Sequence, residues 1–209
     1  MLAGILVPVI VETLSMAIEN NSCPPFAVTQ SAHSGGTTLA SQTILKISLR
    51  NKPEMGLLPE IAQNMLKEKG LHDSRRNPSG TGISHAYEAQ NGGATVYDHA
   101  SGLQWQQSGS RDAVNHRQAK DYVSKLNQER FAGYNDWRLP TLEESMALIE
   151  PANKHADLHI DPVFEPRQRM IWTSDFRRNA MPWVVRFDAG YCDYVYNDGN
   201  VTYWVRAVR

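Results

Sequence analysis

Cysteine is scarce: the chain of 209 residues has two, Cys23 and Cys192, in segments of unlike character. That excludes the disulfide framework that staples small secreted domains. A bridge between the two would have to meet strict Cα and Cβ geometry, and nothing around either residue calls for one. A dominant charge is missing too. The 21 Lys and Arg stand against 22 Asp and Glu, a formal net charge of −1. No basic run marks a patch, so electrostatics argue against nucleic acid and anionic membranes as partners.

No apolar run is long enough to span a bilayer, so no membrane insertion is expected. Met1–Ile10 reads MLAGILVPVI, but Pro8 and Glu12 interrupt it. No Lys or Arg precedes Lys46, so the charged start of a secretory signal is lacking, although Met16-Ala17 resembles a cleavage site. Cys23 follows Asn-Asn-Ser, which is not a lipoprotein context. The segment reads as a buried helix or an unstructured leader. The compartment stays open between cytoplasm and cell surface, and the oligomeric state is not legible.

Catalytic motifs are lacking as well. There is no Gly-x-Ser-x-Gly elbow, phosphate loop or dinucleotide fingerprint. Asp136, Glu143 and Glu144 make no acid pair, because Glu144 is accounted for as a helix cap. His155 and His159 have the i, i+4 spacing of zinc ligands, with Asp157 between them. Pro151 and Pro162 leave too short a run for a long helix, and no third ligand is evident. No catalytic residue, metal or cofactor is therefore expected. The alternatives are a metal-dependent or cysteine-based enzyme using His155, His159 or Cys192, or a regulatory domain of a larger protein.

What is present falls into three zones. Residues 1–46 run from apolar to Ser/Thr/Gly/Gln-rich, a leader and linker whose role the sequence does not give. Residues 47–93 hold a helical lead-in segment. Leu58, Ile61, Met65 and Leu66 share a face, Lys67 and Lys69 fall in the last turn, and Gly70 is placed to stop the helix. The stretch HDSRRNPSGTG that follows is turn-rich. Residues 94–209 are dense in strand signals. Thr95–Asp98 and Leu103–Gln106 flank a turn and predict a hairpin. Asn115 with Gln118 and Thr141 with Glu144 are capping boxes that open two helices. Ala119, Tyr122, Val123, Leu126 and Arg130 would face inward on the first. Leu142, Met146 and Ile149 would do so on the second. Strands are expected at 170–174, 183–187, 191–196 and 201–208, with Asn197-Asp198-Gly199-Asn200 as the turn between the last two. The order hairpin, helix, helix, antiparallel meander is α+β. Trp105, Trp137, Leu139, Trp172 and Trp183 are assigned to the core, and Cys192 reads as buried rather than reactive.

Several tracts together resemble one family. "SGLQWQQSGS", "FAGYNDWRLPTLEES", "HIDPVF", "MIWTSD", "WVVRFDAGY" and "WVRAVR" are similar to the Lcl C-terminal domain family, once a domain of unknown function, over about 94–209. The resemblance implies a C-type-lectin-like fold, related to that of the formylglycine-generating enzymes. It also implies a bacterial binding module, in some members with affinity for sulfated polysaccharide. Some members are variable proteins of diversity-generating retroelements, which vary codons near the C-terminus by mutation at adenines. The calcium loop of lectin-like folds is not reproduced, because Glu165-Pro166 is followed by Arg167 where an oxygen ligand belongs. The cysteine pair of the formylglycine-generating enzymes is not reproduced either, since this region has Cys192 alone.

The segment Asp188–Tyr203 is crowded with Tyr, Asp and Asn. Tyrosine gives rigid contact area with a polar tip, and Asn and Asp give adaptable hydrogen bonding, the mixture that paratopes use. These are also residues that Asn codons yield when mutated at adenines. The candidate ligand-binding set is Asp188, Tyr191, Asp193, Tyr194, Tyr196, Asn197, Asp198, Asn200 and Tyr203, for a protein or glycan ligand. A plain surface hairpin remains the competing reading. Alternation would set Asp193 and Val195 against Tyr194 and Tyr196.

Overall fold

The computed structural model of the protein describes residues 44–209, apart from 179, 180 and 197. The expectations for the leader, for Cys23 and for Asn197 lie outside the described residues.

Helix α1 (Pro59–Glu68) opens on proline, whose missing N–H costs nothing in the first turn, and Gly70 ends it at φ +66°. Its buried residues are Ala62 and Leu66, while Ile61 is 45% exposed. The inward stripe is thus rotated from the expected one. Small Ala62 lies at the contact and Ile61 moves to its edge.

Three strands follow as an antiparallel meander: β1 (Tyr87–Gln90), β2 (Thr95–Asp98) and β3 (Leu103–Gln106). The β2–β3 hairpin is the expected one, with Val96 opposite Trp105. Strand β1 carries Tyr-Glu-Ala-Gln, whose polar middle gives no strand signal in sequence. It forms because β2 offers a free edge to pair with.

Helices α2 (His116–Gln128) and α3 (Leu142–Ala147) both open with complete capping boxes, Asn115/Gln118 and Thr141/Glu144. On α2 the buried stripe is Ala119, Val123 and Leu126. Arg130 does not extend it. The helix has ended, and Arg130 sits exposed at φ +51°. Asn127 instead clamps the following strand-like tract, accepting from Trp137 N at 2.7 Å and donating to Trp137 O at 2.8 Å. All six residues of α3 are buried. Glu144 can be buried because Arg138 forks onto it at 2.6 and 2.7 Å.

The second sheet, β4 (Met170–Phe176), β5 (Pro182–Arg186) and β6 (Tyr191–Tyr194), is antiparallel with β5 central. Both of its faces are covered. Trp172 and Val184 pack with Val123, Leu126 and Trp137 in one cluster. Ile171, Trp183 and Val185 pack with Leu66, Met146 and Phe164 in the other. This explains the near-continuous apolar reading of Pro182–Arg186. Trp105, Trp137, Leu139, Trp172, Trp183 and Cys192 are all buried, as expected.

The terminal segment corrects the expected hairpin. Residues 201–208 form no regular strand and do not pair with β6. Trp204 bridges Ile171 in parallel, on the edge of β4 remote from β6. Val208 then bridges Trp105 of β3 and Arg138. The segment ties the two sheets together, and the Asp198-Gly199 stretch is a connecting loop rather than a hairpin turn. A paired β6 would have kept the segment at the wrong edge.

Among the described residues, three α-helices and two three-stranded antiparallel sheets give an α+β fold. Residues 44–93 share the core, since Leu57, Ala62, Leu66 and Leu71 belong to the cluster that holds Trp105 and Trp183. Among the described residues no helix is long and apolar enough to cross a membrane.

Candidate functional site

The β5–β6 hairpin carries the first half of the candidate set. Gly190 closes its turn at φ +66°, and a Cβ there would lie 3.0 Å from the His159 ring. Two requirements therefore select glycine, backbone conformation and close approach. The turn 73–77 docks on this hairpin. Asp73, fully buried, accepts from Arg75 N, Arg76 N and Cys192 N at 2.9, 2.7 and 3.0 Å. Ser74 N donates to Gly190 O at 2.8 Å. Arg76 donates to the Cys192 carbonyl and covers the Trp183 ring at 5.3 Å.

This docking brings cations onto the tyrosines. Arg75 lies 3.5 Å over the Tyr191 ring and 3.7 Å from Asp193. Arg186 forks onto Asp188 at 3.2 and 3.0 Å and donates to the Tyr191 hydroxyl at 3.1 Å. The Asp188 carboxylate hydrogen bond holds the Arg186 pKa above its ordinary value. Tyr191 is left 5% exposed, so its ring packs under Arg75 rather than facing a ligand. Asp188 is engaged by Arg186, whereas Asp193 keeps 37% of its side chain exposed.

The second half lies beyond the strand. Tyr194 is half-buried, edge-on to Trp183 at 5.2 Å with Arg177 4.3 Å over its ring. Strand β6 ends there, so the alternation argument stops at Tyr194. Tyr196 is 66% exposed. Asp198 accepts from Asn200 N at 2.9 Å, and this bond lowers its pKa. Both residues are exposed. Asn115 of the α2 cap reaches Gly199 O at 3.4 Å and tethers the loop. Tyr203 exchanges backbone hydrogen bonds with Val114 and packs edge-on to Trp172 at 4.9 Å. The set thus divides into a cation-clamped head (Asp188, Tyr191, Asp193) and an exposed loop (Tyr196, Asp198, Asn200), with Tyr194 and Tyr203 as half-buried footings. Sequence reasoning missed Arg75, Arg177 and Arg186. The Arg-Arg pair within HDSRRNPSGTG was visible, but only as part of a turn.

A concavity of about 420 Å³ lies elsewhere, between residues 81–87 and 150–161. Its polar lining includes Ser84, His85, Tyr87, Glu150, Lys154 and Asp161. His85 is held between Asp98, 2.9 Å from Nδ1, and the Ala147 carbonyl, 2.8 Å from Nε2. Burial would raise the Asp98 pKa, but hydrogen bonds from His85 and Ser101 and the His85 charge outweigh it and hold the carboxyl well below its ordinary range. Tyr87 stacks on His85 at 4.5 Å. Burial first, then the Asp98, Asp161 and Glu150 carboxylates, push its phenol pKa well up.

The groups that could have carried other chemistry are dispersed. His155 and His159 lie in an irregular run, not on one helix face, and His159 Nδ1 donates to Glu150 O at 2.8 Å. Burial and the neighbouring Asp73 carboxylate push the Cys192 thiol pKa well up, opposite to what a nucleophile needs. Among the described residues no group of three or more His, Cys, Asp or Glu side chains is placed to hold a metal.

The fold is α+β, and the tyrosine-rich, arginine-braced face lies over buried tryptophans. Residues 94–209, more than half of the chain, match the model of the Lcl C-terminal domain, and the protein belongs to that family. No curated protein and no solved structure matches the chain.

Proposed function

We propose that the protein is a non-enzymatic ligand-binding module of C-type-lectin-like fold, which contacts a protein or glycan through the loop beyond β6. One observation carries this reading. Tyr196, Asp198 and Asn200 are exposed together on a loop whose two ends are anchored, at Tyr194 on Trp183 and at Tyr203 on Trp172. Anchored ends with a free aromatic and polar middle lower the entropy lost on binding. The cation-braced head supplies rigid support beside it. Recognition runs through shape and hydrogen bonding, without calcium.

The test is a glycan array with the full chain and with a Tyr196→Ala, Asp198→Ala, Asn200→Ala triple variant. The variant is expected to lose at least about tenfold in signal with an unchanged melting temperature, since loss of one hot-spot tyrosine alone costs about 2 kcal/mol or more. Signal in EDTA should match that in calcium. Full binding by the triple variant would remove the loop from the site.

A diversified version of this reading rests on the Tyr, Asp and Asn content of the same loop. It requires a near-identical repeat of the 3′ coding end nearby, differing only at adenines, with a reverse transcriptase gene. A neighbourhood without both would end that version and leave plain binding in place.

A further inference from the structure

The polar cleft between residues 81–87 and 150–161 is separate from the tyrosine loop, and its size falls within the range of small-molecule sites. Its charges pair off with one exception. His85 is matched by Asp98 at 2.9 Å, and Lys154 by Glu150 at 2.8 Å. Asp161 has no cation within ion-pair distance among the described residues. One of its carboxylate oxygens, Oδ1, accepts from Val163 N at 2.9 Å, and the other has no protein donor among them. The Tyr87 hydroxyl likewise has no hydrogen-bond partner among the described residues, although its ring is fixed by His85 and edge-on by Phe164 at 5.2 Å. Arg206 does not supply the missing cation. Its guanidinium lies over Phe164 at 4.8 Å, and its Nη atoms donate to the carbonyls of Gln106, Gln107 and Glu165 and to Gln168 Oε1.

A concave site with an uncompensated carboxylate, a waiting phenol and the Ser84 hydroxyl is complementary to a small polar cation. We propose that this cleft binds a primary ammonium carried on a hydroxyl-bearing skeleton of monosaccharide size, with Asp161 as the charge partner and Tyr87 as a hydrogen-bond partner. An ammonium supplies three donors, two of which can meet the free Asp161 oxygen and the Tyr87 hydroxyl. The high Tyr87 pKa keeps the phenol neutral, so that it adds no charge and can accept from the ammonium while donating onward.

The probes are glucosamine, glucose and glucose 6-phosphate, titrated against the full chain by calorimetry and saturation-transfer NMR. Glucosamine should bind with a dissociation constant on the order of 1 mM, a reasonable affinity for so few heavy atoms. Glucose should be about tenfold weaker, the difference one charge-assisted contact makes. Asp161→Asn retains Oδ1 for Val163 N and so preserves the turn, yet should abolish the preference for glucosamine over glucose. Tyr87→Phe should weaken glucosamine severalfold. Lys154→Ala, at an exposed position, should tighten glucosamine by freeing Glu150, a gain that a folding defect cannot imitate. Equal affinity for glucosamine and glucose, preference for glucose 6-phosphate, absence of saturable glucosamine binding, or a Lys154→Ala variant no tighter than the parent would each overturn the proposal. None of these results bears on the tyrosine loop, whose triple variant should bind glucosamine like the parent.

Discussion

A single buried carboxylate, Asp73, holds the head of the β5–β6 hairpin in place. It accepts from three backbone N–H groups, two in its own turn and one at Cys192, and the Cys192 thiol donates to it at 3.3 Å. Asp73→Ala leaves the buried Cys192 N–H without an acceptor and should cost about 3 kcal/mol, seen as a lowered urea midpoint. Asp98 offers a pH test. Its folded pKa is depressed below the ordinary 3.8, so the unfolded chain binds its proton first as pH falls. The stability it contributes is fully present above 3.8 and is lost as pH falls from there through the folded value. Acid titration of stability should therefore be flatter in Asp98→Asn than in the parent over that range. Sequence reasoning could not see either role. Asp73 lies 119 residues from Cys192, and nothing local distinguishes a buried carboxylate from a solvated one.

At the scale of elements, legibility follows the range of the forces. The capping boxes at Asn115/Gln118 and Thr141/Glu144 were readable because cap and partner lie three residues apart and close on each other without help from the fold. Asn115→Ala should destabilise by about 1 kcal/mol, measurable by denaturant titration, and should also release the Gly199 tether. Gly190→Ala meets two penalties, positive φ and the His159 ring at 3.0 Å, and should cost about 1–2 kcal/mol or more. The β2–β3 hairpin was readable for the same local reason. Strand β1 and the terminal segment were not. A strand's partner is chosen by whichever edge is free, and the alternation of 201–208 carries no information about that choice. The tyrosine loop inherits the difference. Its residues were legible as a set, but which of them face outward depended on where β6 ended and on which cations docked against it.

For the molecule as a whole, the consequential feature is that the core extends beyond the segment that matches the family. Trp183 Nε1 donates to Leu57 O at 3.0 Å, and buried Asp175 is forked by Arg50 at 3.0 and 2.6 Å. A fragment of residues 94–209 would expose the Leu57, Leu66 and Leu71 contact surface and leave Asp175 without its cation. Loss of one partner from such a pair costs about 3–5 kcal/mol. The fragment should show weak near-ultraviolet dichroism and poor amide dispersion, whereas residues 44–209 should give a cooperative transition. The sequence by itself determined the α+β class, the starts of α2 and α3, the tryptophan core and the family, because each rests on local periodicity, local capping or a motif read in order. Only the tertiary structure decided which sheet edge the C-terminus takes, which tyrosines are covered by arginines, and which carboxylate in the polar cleft is left without a cation. Those outcomes depend on contacts between residues tens to more than a hundred positions apart, where burial and pairing are set by the packed chain and not by neighbours in sequence.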